Sequence, residues 1–98
     1  MRFAQIIEYR TTRIDEVDRL MDDWLRRTEG RRTATRALQT SDRDQANTYV
    51  EIVEFPSYEA AMANNDLPET AEIADQLAKL AEGPPIFRNL DIRRDDPA

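Results

Sequence analysis

The chain reads as a single α+β domain with the element order β-α-β-β-α-β, and three features carry that expectation. Stretches rich in β-branched and aromatic residues that alternate with period two sit near its start, middle and end. Between them lie segments whose apolar residues recur every three or four positions. The third feature is a faint internal repeat. Gln5-Ile6-Ile7-Glu8-Tyr9 and Glu51-Ile52-Val53-Glu54-Phe55 correspond at a spacing of 46 residues, each followed by a helix-starting signal.

Arg2 to Arg10 (RFAQIIEYR) is the first strand, and Thr12 to Asp15 then offers a weak capping box. Ile14, Val17, Leu20, Met21, Trp24 and Leu25 follow at helical spacing, which predicts an amphipathic helix ending near Gly30. Thr33–Thr40 (TATRALQT) is expected as a strand because of its threonines, and Ser41–Asn47 is turn chemistry throughout. Thr48–Phe55 (TYVEIVEF) is the strongest strand signal in the chain. Pro56 stops it, and Ser57 caps a short helix over Tyr58–Asn65. Asn65 and Asp66 interrupt that helix, and Pro68 opens a second one running to Glu82, so the second helical region is split in two. Gly83-Pro84-Pro85 is a stop, Ile86–Arg93 is the last strand, and residues 95–98 are a polar tail to a domain spanning 1–94.

This order is the split βαβ, ferredoxin-like arrangement with a four-stranded antiparallel sheet and helices on one face. The first and third strands are expected side by side and parallel in its centre. Alternation divides the strands into two sets. Ala4, Ile6, Val50, Ile52, Leu90 and Ile92 suit packing under the helices. The other set includes Phe3, Ile7, Tyr9, Tyr49, Val53, Phe55 and Phe87, with Gln5, Glu51, Asn89 and Asp91 as its polar members. An apolar, aromatic second face of that size marks an interface. A homodimer with two sheets face to face is therefore expected, forming a dimeric α/β barrel.

Composition removes several function classes. The chain has no cysteine and no histidine, so it has no disulfide framework, thiolate nucleophile, imidazole ligand or Ser-His dyad. Its net charge of -6 argues against nucleic-acid binding. No apolar run approaches the roughly 20 residues of a membrane span, and the N-terminus lacks the order of a secretory signal, so a cytoplasmic location is expected. No phosphate loop, dinucleotide fingerprint or zinc motif occurs, and no cofactor or metal is expected. One basic cluster, Arg26-Arg27 and Arg31-Arg32, reads most simply as cations at a helix C-terminus, with an anion or partner contact as the other reading.

The stretch VEIVEFPSYEAAMANNDLPET and the terminal GPPIFRNLDIRR, set in this element order, resemble the dimeric α/β-barrel superfamily and in particular its antibiotic biosynthesis monooxygenase-like small proteins. The resemblance implies a homodimer that binds a hydrophobic, aromatic small molecule or oxidises it without metal or haem. A deprotonated phenolic substrate passing an electron to oxygen is the chemistry it implies, with Trp24, Tyr49 or Arg88 orienting the substrate. Haem-degrading members hold iron through a helix histidine, which this chain lacks.

The candidate pocket is expected between helices and sheet, lined by Ile6, Glu8, Trp24, Ile52, Glu54 and Leu77. Glu8 and Glu54 occupy equivalent places in the repeat, and two neighbouring carboxylates there would serve as general acid and base. Pairing with arginines is the plain structural reading of the same two residues. Trp24 is the remaining catalytic candidate, and Tyr49 and Arg88 complete the substrate contacts. A second reading stays open: a non-enzymatic dimeric structural, stress-related or regulatory module, contacting partners through Arg26–Arg32 or the Ser41–Asn47 tip.

Overall fold

A computed structural model describes all 98 residues, in the order β1 (Phe3–Arg10), α1 (Ile14–Arg27), β2 (Arg36–Ser41), β3 (Thr48–Phe55), α2 (Tyr58–Asn65), α3 (Pro68–Leu80) and β4 (Ile86–Asp91). The split second helical region is present as α2 and α3. Ser57 caps α2 by accepting the Ala60 amide at 3.1 Å, and Pro68 opens α3 where no amide donor is needed. The Thr12–Asp15 capping box does not form. Thr11 Oγ1 instead accepts the Arg13 amide at 3.0 Å and donates to the Leu80 carbonyl at 2.8 Å, tying the start of α1 to the end of α3. β2 begins later than Thr33 because Thr33 donates its hydroxyl to the Ala60 carbonyl at 2.6 Å, which anchors the preceding loop to α2.

The sheet order is β2-β3-β1-β4, and every neighbouring pair is antiparallel. The expected parallel pairing of β1 with β3 is therefore corrected. The crossover through α1 makes β1 and β2 parallel but one place apart, and β3 returns through the hairpin into the gap, antiparallel to both. The order of elements alone compels that direction.

The two faces of the sheet are exchanged relative to the alternation argument. Phe3 and Phe55 pack with Ala61 of α2, and Tyr9 packs with Val17 of α1 and Leu77 of α3, so the odd-numbered residues of β1 and β3 face the helices. Ala4, Ile6, Val50 and Ile52 lie on the uncovered face. Bulk decides the matter: helices sit about 10 Å above a sheet, a distance that aromatic side chains bridge and alanine does not. The covered layer holds two separate apolar clusters rather than one continuous core.

The arginines after α1 are engaged at home. Arg27 pairs with Glu72 at 3.0 Å and Arg31 pairs with Glu69, so the C-terminal end of α1 is stapled to α3. The Arg32 guanidinium lies 5.4 Å from the centre of the Trp24 ring.

Candidate functional site

Between the two apolar clusters the helices stand off the sheet and leave a cavity of about 320 Å³. Its floor is the odd-numbered face of all four strands, with Ala37 from β2, Val53 and Phe55 from β3, Ile7 from β1 and Phe87 from β4. The roof comes from α1 and α3. Trp24 is the side chain of the α1 stripe that reaches furthest across, and its Nε1 donates to Thr70 Oγ1 of α3 at 2.9 Å. That bond holds the indole ring as a fixed wall. Leu77 closes one end and Asn64 of α2 the other.

Six of the lining residues are polar, and two of these are buried with a side-chain oxygen that no protein donor bonds. Asn64 is 3% exposed and its Oδ1 has no hydrogen-bond partner. Gln5 Nε2, by contrast, reaches Asn89 Oδ1 at 3.5 Å across the β1–β4 ladder. The second group is Glu51, 6% exposed, at the centre of β3. Its Oε1 accepts the Tyr9 hydroxyl at 2.6 Å and Gln39 Nε2 at 3.2 Å. No protein donor bonds Oε2 and no arginine or lysine pairs with the carboxylate. Burial pushes the Glu51 carboxyl above the usual range, partly opposed by the bonds from Tyr9 and Gln39 and reinforced by Asp18. The Tyr9 hydroxyl is driven well above its ordinary range, by burial first and then by the carboxylate it bonds. Tyr9 therefore stays a neutral donor.

A second cavity of about 410 Å³ opens beside the first, between α1 and β2. The two share Met21, Trp24, Ala37 and Glu51 as walls, so Glu51 borders both. Asp18, Asp22 and Gln39 line the outer part, and Gln39 Nε2 also donates to Asp18 Oδ1 at 3.0 Å.

Of the residues singled out from sequence, Trp24 and Leu77 line the first cavity. Tyr49 does not line it; its ring stacks on Tyr9 at 5.8 Å and packs against the Val17–Leu77 cluster. Ile6, Glu8, Ile52 and Glu54 stand on the opposite face of the sheet, so their expected place in the pocket wall is corrected, and Arg88, expected as a substrate contact, stands there with them. Glu8 and Glu54 are not neighbours either. Antiparallel register sets Glu54 against Ala4 and Glu8 against Val50, four residues apart along β1 or roughly 13 Å at strand rise. Each has its own arginine, Glu8 with Arg88 at 3.3 Å and Glu54 with Arg2 at 3.7 Å. Glu51, Tyr9 and Asn64 are not among the site residues chosen from sequence, where Tyr9 reads first as interface fill and Asn64 as the end of a helix. The available signal was Glu51 itself, a charged residue in register with Tyr49, Val53 and Phe55 on the strand face with the largest side chains.

No protein-family profile matches the chain, and no curated protein matches it closely in sequence. Solved structures do match. SnoaB, a cofactor-independent oxygenase from Streptomyces nogalater, superposes with a TM-score of 0.81 over 99% of this chain and 98% of its own, at 15% identity. Rv0793 from Mycobacterium tuberculosis gives 0.79 over 97% and 98%, at 14% identity. A provisionally named antibiotic biosynthesis monooxygenase from Caulobacter crescentus gives 0.80 over 95% and 91%, at 10% identity. At these identities the likeness is one of fold, and the chain has the antibiotic biosynthesis monooxygenase-like fold.

Proposed function

We propose that the protein binds a hydrophobic, aromatic small molecule in the cavity between its helices and sheet, as a homodimer, and that oxidation of that molecule without metal or haem is its reaction class. The supporting observation is the cavity itself. An apolar space of about 320 Å³, walled by a fixed indole and holding a buried acceptor with no partner on Asn64, suits an aromatic body carrying a donor group. An unfilled apolar space of this size forfeits packing that a folded core would otherwise gain. The oxygenase activity of SnoaB, which shares the fold, supports the choice of reaction.

The dimer rests on the uncovered face. Across the sheet, Leu38, Ile52, Ile6 and Arg88 form one row; Arg36, Glu54, Ala4 and Leu90 form another; Thr40, Val50, Glu8 and Ile86 form a third. The middle row is apolar across three strands, Leu38, Leu90 and Ile86 on the edge strands are 37%, 45% and 51% exposed, and Glu54 and Glu8 stand in the two flanking rows, paired with Arg2 and Arg88. Two copies meeting there cover an apolar patch and close the two sheets into a barrel.

Trp24 is the only tryptophan, so its fluorescence reports on the cavity directly. Titration with a hydroxyanthraquinone is expected to quench Trp24 and raise the melting temperature, and Asn64→Ala is expected to weaken both effects. Dioxygen uptake in the same mixture tests turnover. Absence of any thermal or fluorescence response across a panel of aromatic ligands would reject the binding reading.

A further inference from the structure

The charged side chains lining the two joined cavities are Asp18, Asp22 and Glu51, and all three are acidic. The chain has 14 lysines and arginines, and it pairs four partly buried carboxylates of its strands and helices with them: Glu8 with Arg88, Glu54 with Arg2, Glu69 with Arg31, Asp23 with Arg27. Glu51 is the most buried carboxylate in the protein and has no cation at all. Its Oε1 is held by Tyr9 and Gln39, Oε2 has no protein donor, and the residue lines both cavities. A buried carboxylate left without a counter-charge is costly, and a charge arriving with a ligand removes that cost.

A second observation points the same way. Asn64 is the other buried polar side chain in the lining of the first cavity, and its Oδ1 is an acceptor with no hydrogen-bond partner. No lysine or arginine lines either cavity, Trp24 Nε1 is engaged by Thr70, and Gln5 Nε2 by Asn89. An ammonium is a donor-only group that suits such a lining. The acidic side chains do not converge as a metal cluster, since no three ligating groups in the chain come together. Resting on the reading of this cavity as a small-molecule site, we infer that its ligand is a hydrophobic cation, an aromatic or alkyl amine whose ammonium group sits at Glu51 Oε2 and whose body fills the space beneath Trp24. Asp18 and Asp22, at the outer opening, attract the cation on its way in.

The groups facing Glu51 are Tyr9 from β1, Gln39 from β2 and Asp18 from α1, and α3 presents apolar side chains to the cavity around it. Binding of the amine is thus strongest where Glu51 is ionised and weakens as the solution is acidified.

Calorimetric titration of the full chain with tryptamine, tryptophol and indoleacetate compares cation, neutral and anion on one indole frame. Tryptamine is expected to bind at least tenfold tighter than tryptophol, with indoleacetate weakest. Glu51→Gln, which keeps the shape and an acceptor for Tyr9, should erase the preference. Asp22→Asn, at an exposed position that folding does not depend on, should reduce it and lessen its salt dependence. Equal binding of tryptamine and tryptophol overturns the cation inference while leaving the cavity as the site. A preference that survives both substitutions overturns the assignment to Glu51. Failure of all three indoles together with the hydroxyanthraquinone overturns the binding reading itself.

Discussion

Filling the cavity from its roof separates a binding site from a packing defect. Ala74 lines the cavity from α3, and the ring of an Ala74→Phe variant is expected to enter it. A cavity of ~150 Å³ holds one benzene, so the new ring takes roughly half of the 320 Å³. Burying it contributes about 1.5–3 kcal/mol. Imperfect fit costs about 1–3 kcal/mol. The balance lies within about 2 kcal/mol of zero, which for a domain of this length is a melting shift of roughly 10 °C at most. The space left is well under the ~300 Å³ of the smallest ordinary ligand pockets. Ligand affinity should therefore fall at least a hundredfold, or about 2.8 kcal/mol. Paired melting curves and calorimetric titrations read both quantities. A variant that melts within the window and binds with unchanged affinity places the ligand elsewhere. One that melts more than about 20 °C lower shows helices already seated on the sheet in solution, with no void to fill.

Three further outcomes follow from the same geometry. Burial holds the Glu51 carboxyl above its ordinary pKa, so the folded state retains a proton that the unfolded chain releases. The stability this confers is full in acid and is lost as pH rises through the raised pKa. Glu51→Gln should accordingly gain stability relative to the parent between pH 4.5 and neutrality, and parallel urea midpoints that differ equally at all pH values would count against it. Ile52→Glu on the uncovered face is expected to convert dimer to monomer in sedimentation experiments with the far-ultraviolet spectrum preserved, and a variant that remains dimeric refutes that interface. Phe55→Ala, at a side chain 1% exposed, should cost about 3–5 kcal/mol, whereas Leu90→Ala, 45% exposed, should cost the isolated protomer under about 1 kcal/mol in denaturant unfolding. Comparable losses at the two sites would contradict the assignment of the faces.

That assignment is where the sequence and the structure part company, and the reason is physical. Element order was legible because period-two and period-3.6 patterns, a serine cap, Pro68 and Gly83-Pro84 all act within a few residues of themselves. From the site, Trp24 and Leu77 were legible because a helix has one apolar stripe and must turn it inward. A strand offers two faces, and here both carry apolar residues. Ranking them by hydrophobicity favours Ala4, Ile6, Val50 and Ile52 over a set interrupted by Gln5 and Glu51. Ranking them by volume gives the other answer, because Phe3, Tyr9 and Phe55 are large enough to form buried clusters with helix side chains. Glu51 weighed against the correct face for a sound reason, since an unpaired carboxylate does not belong in a core. Its presence there, braced by Tyr9 and Gln39 and lining both cavities, makes it the residue on which the chain spends stability. A fold gives up stability in this way at sites that do something else, so the same residue that misdirected the face assignment is the strongest pointer to the site.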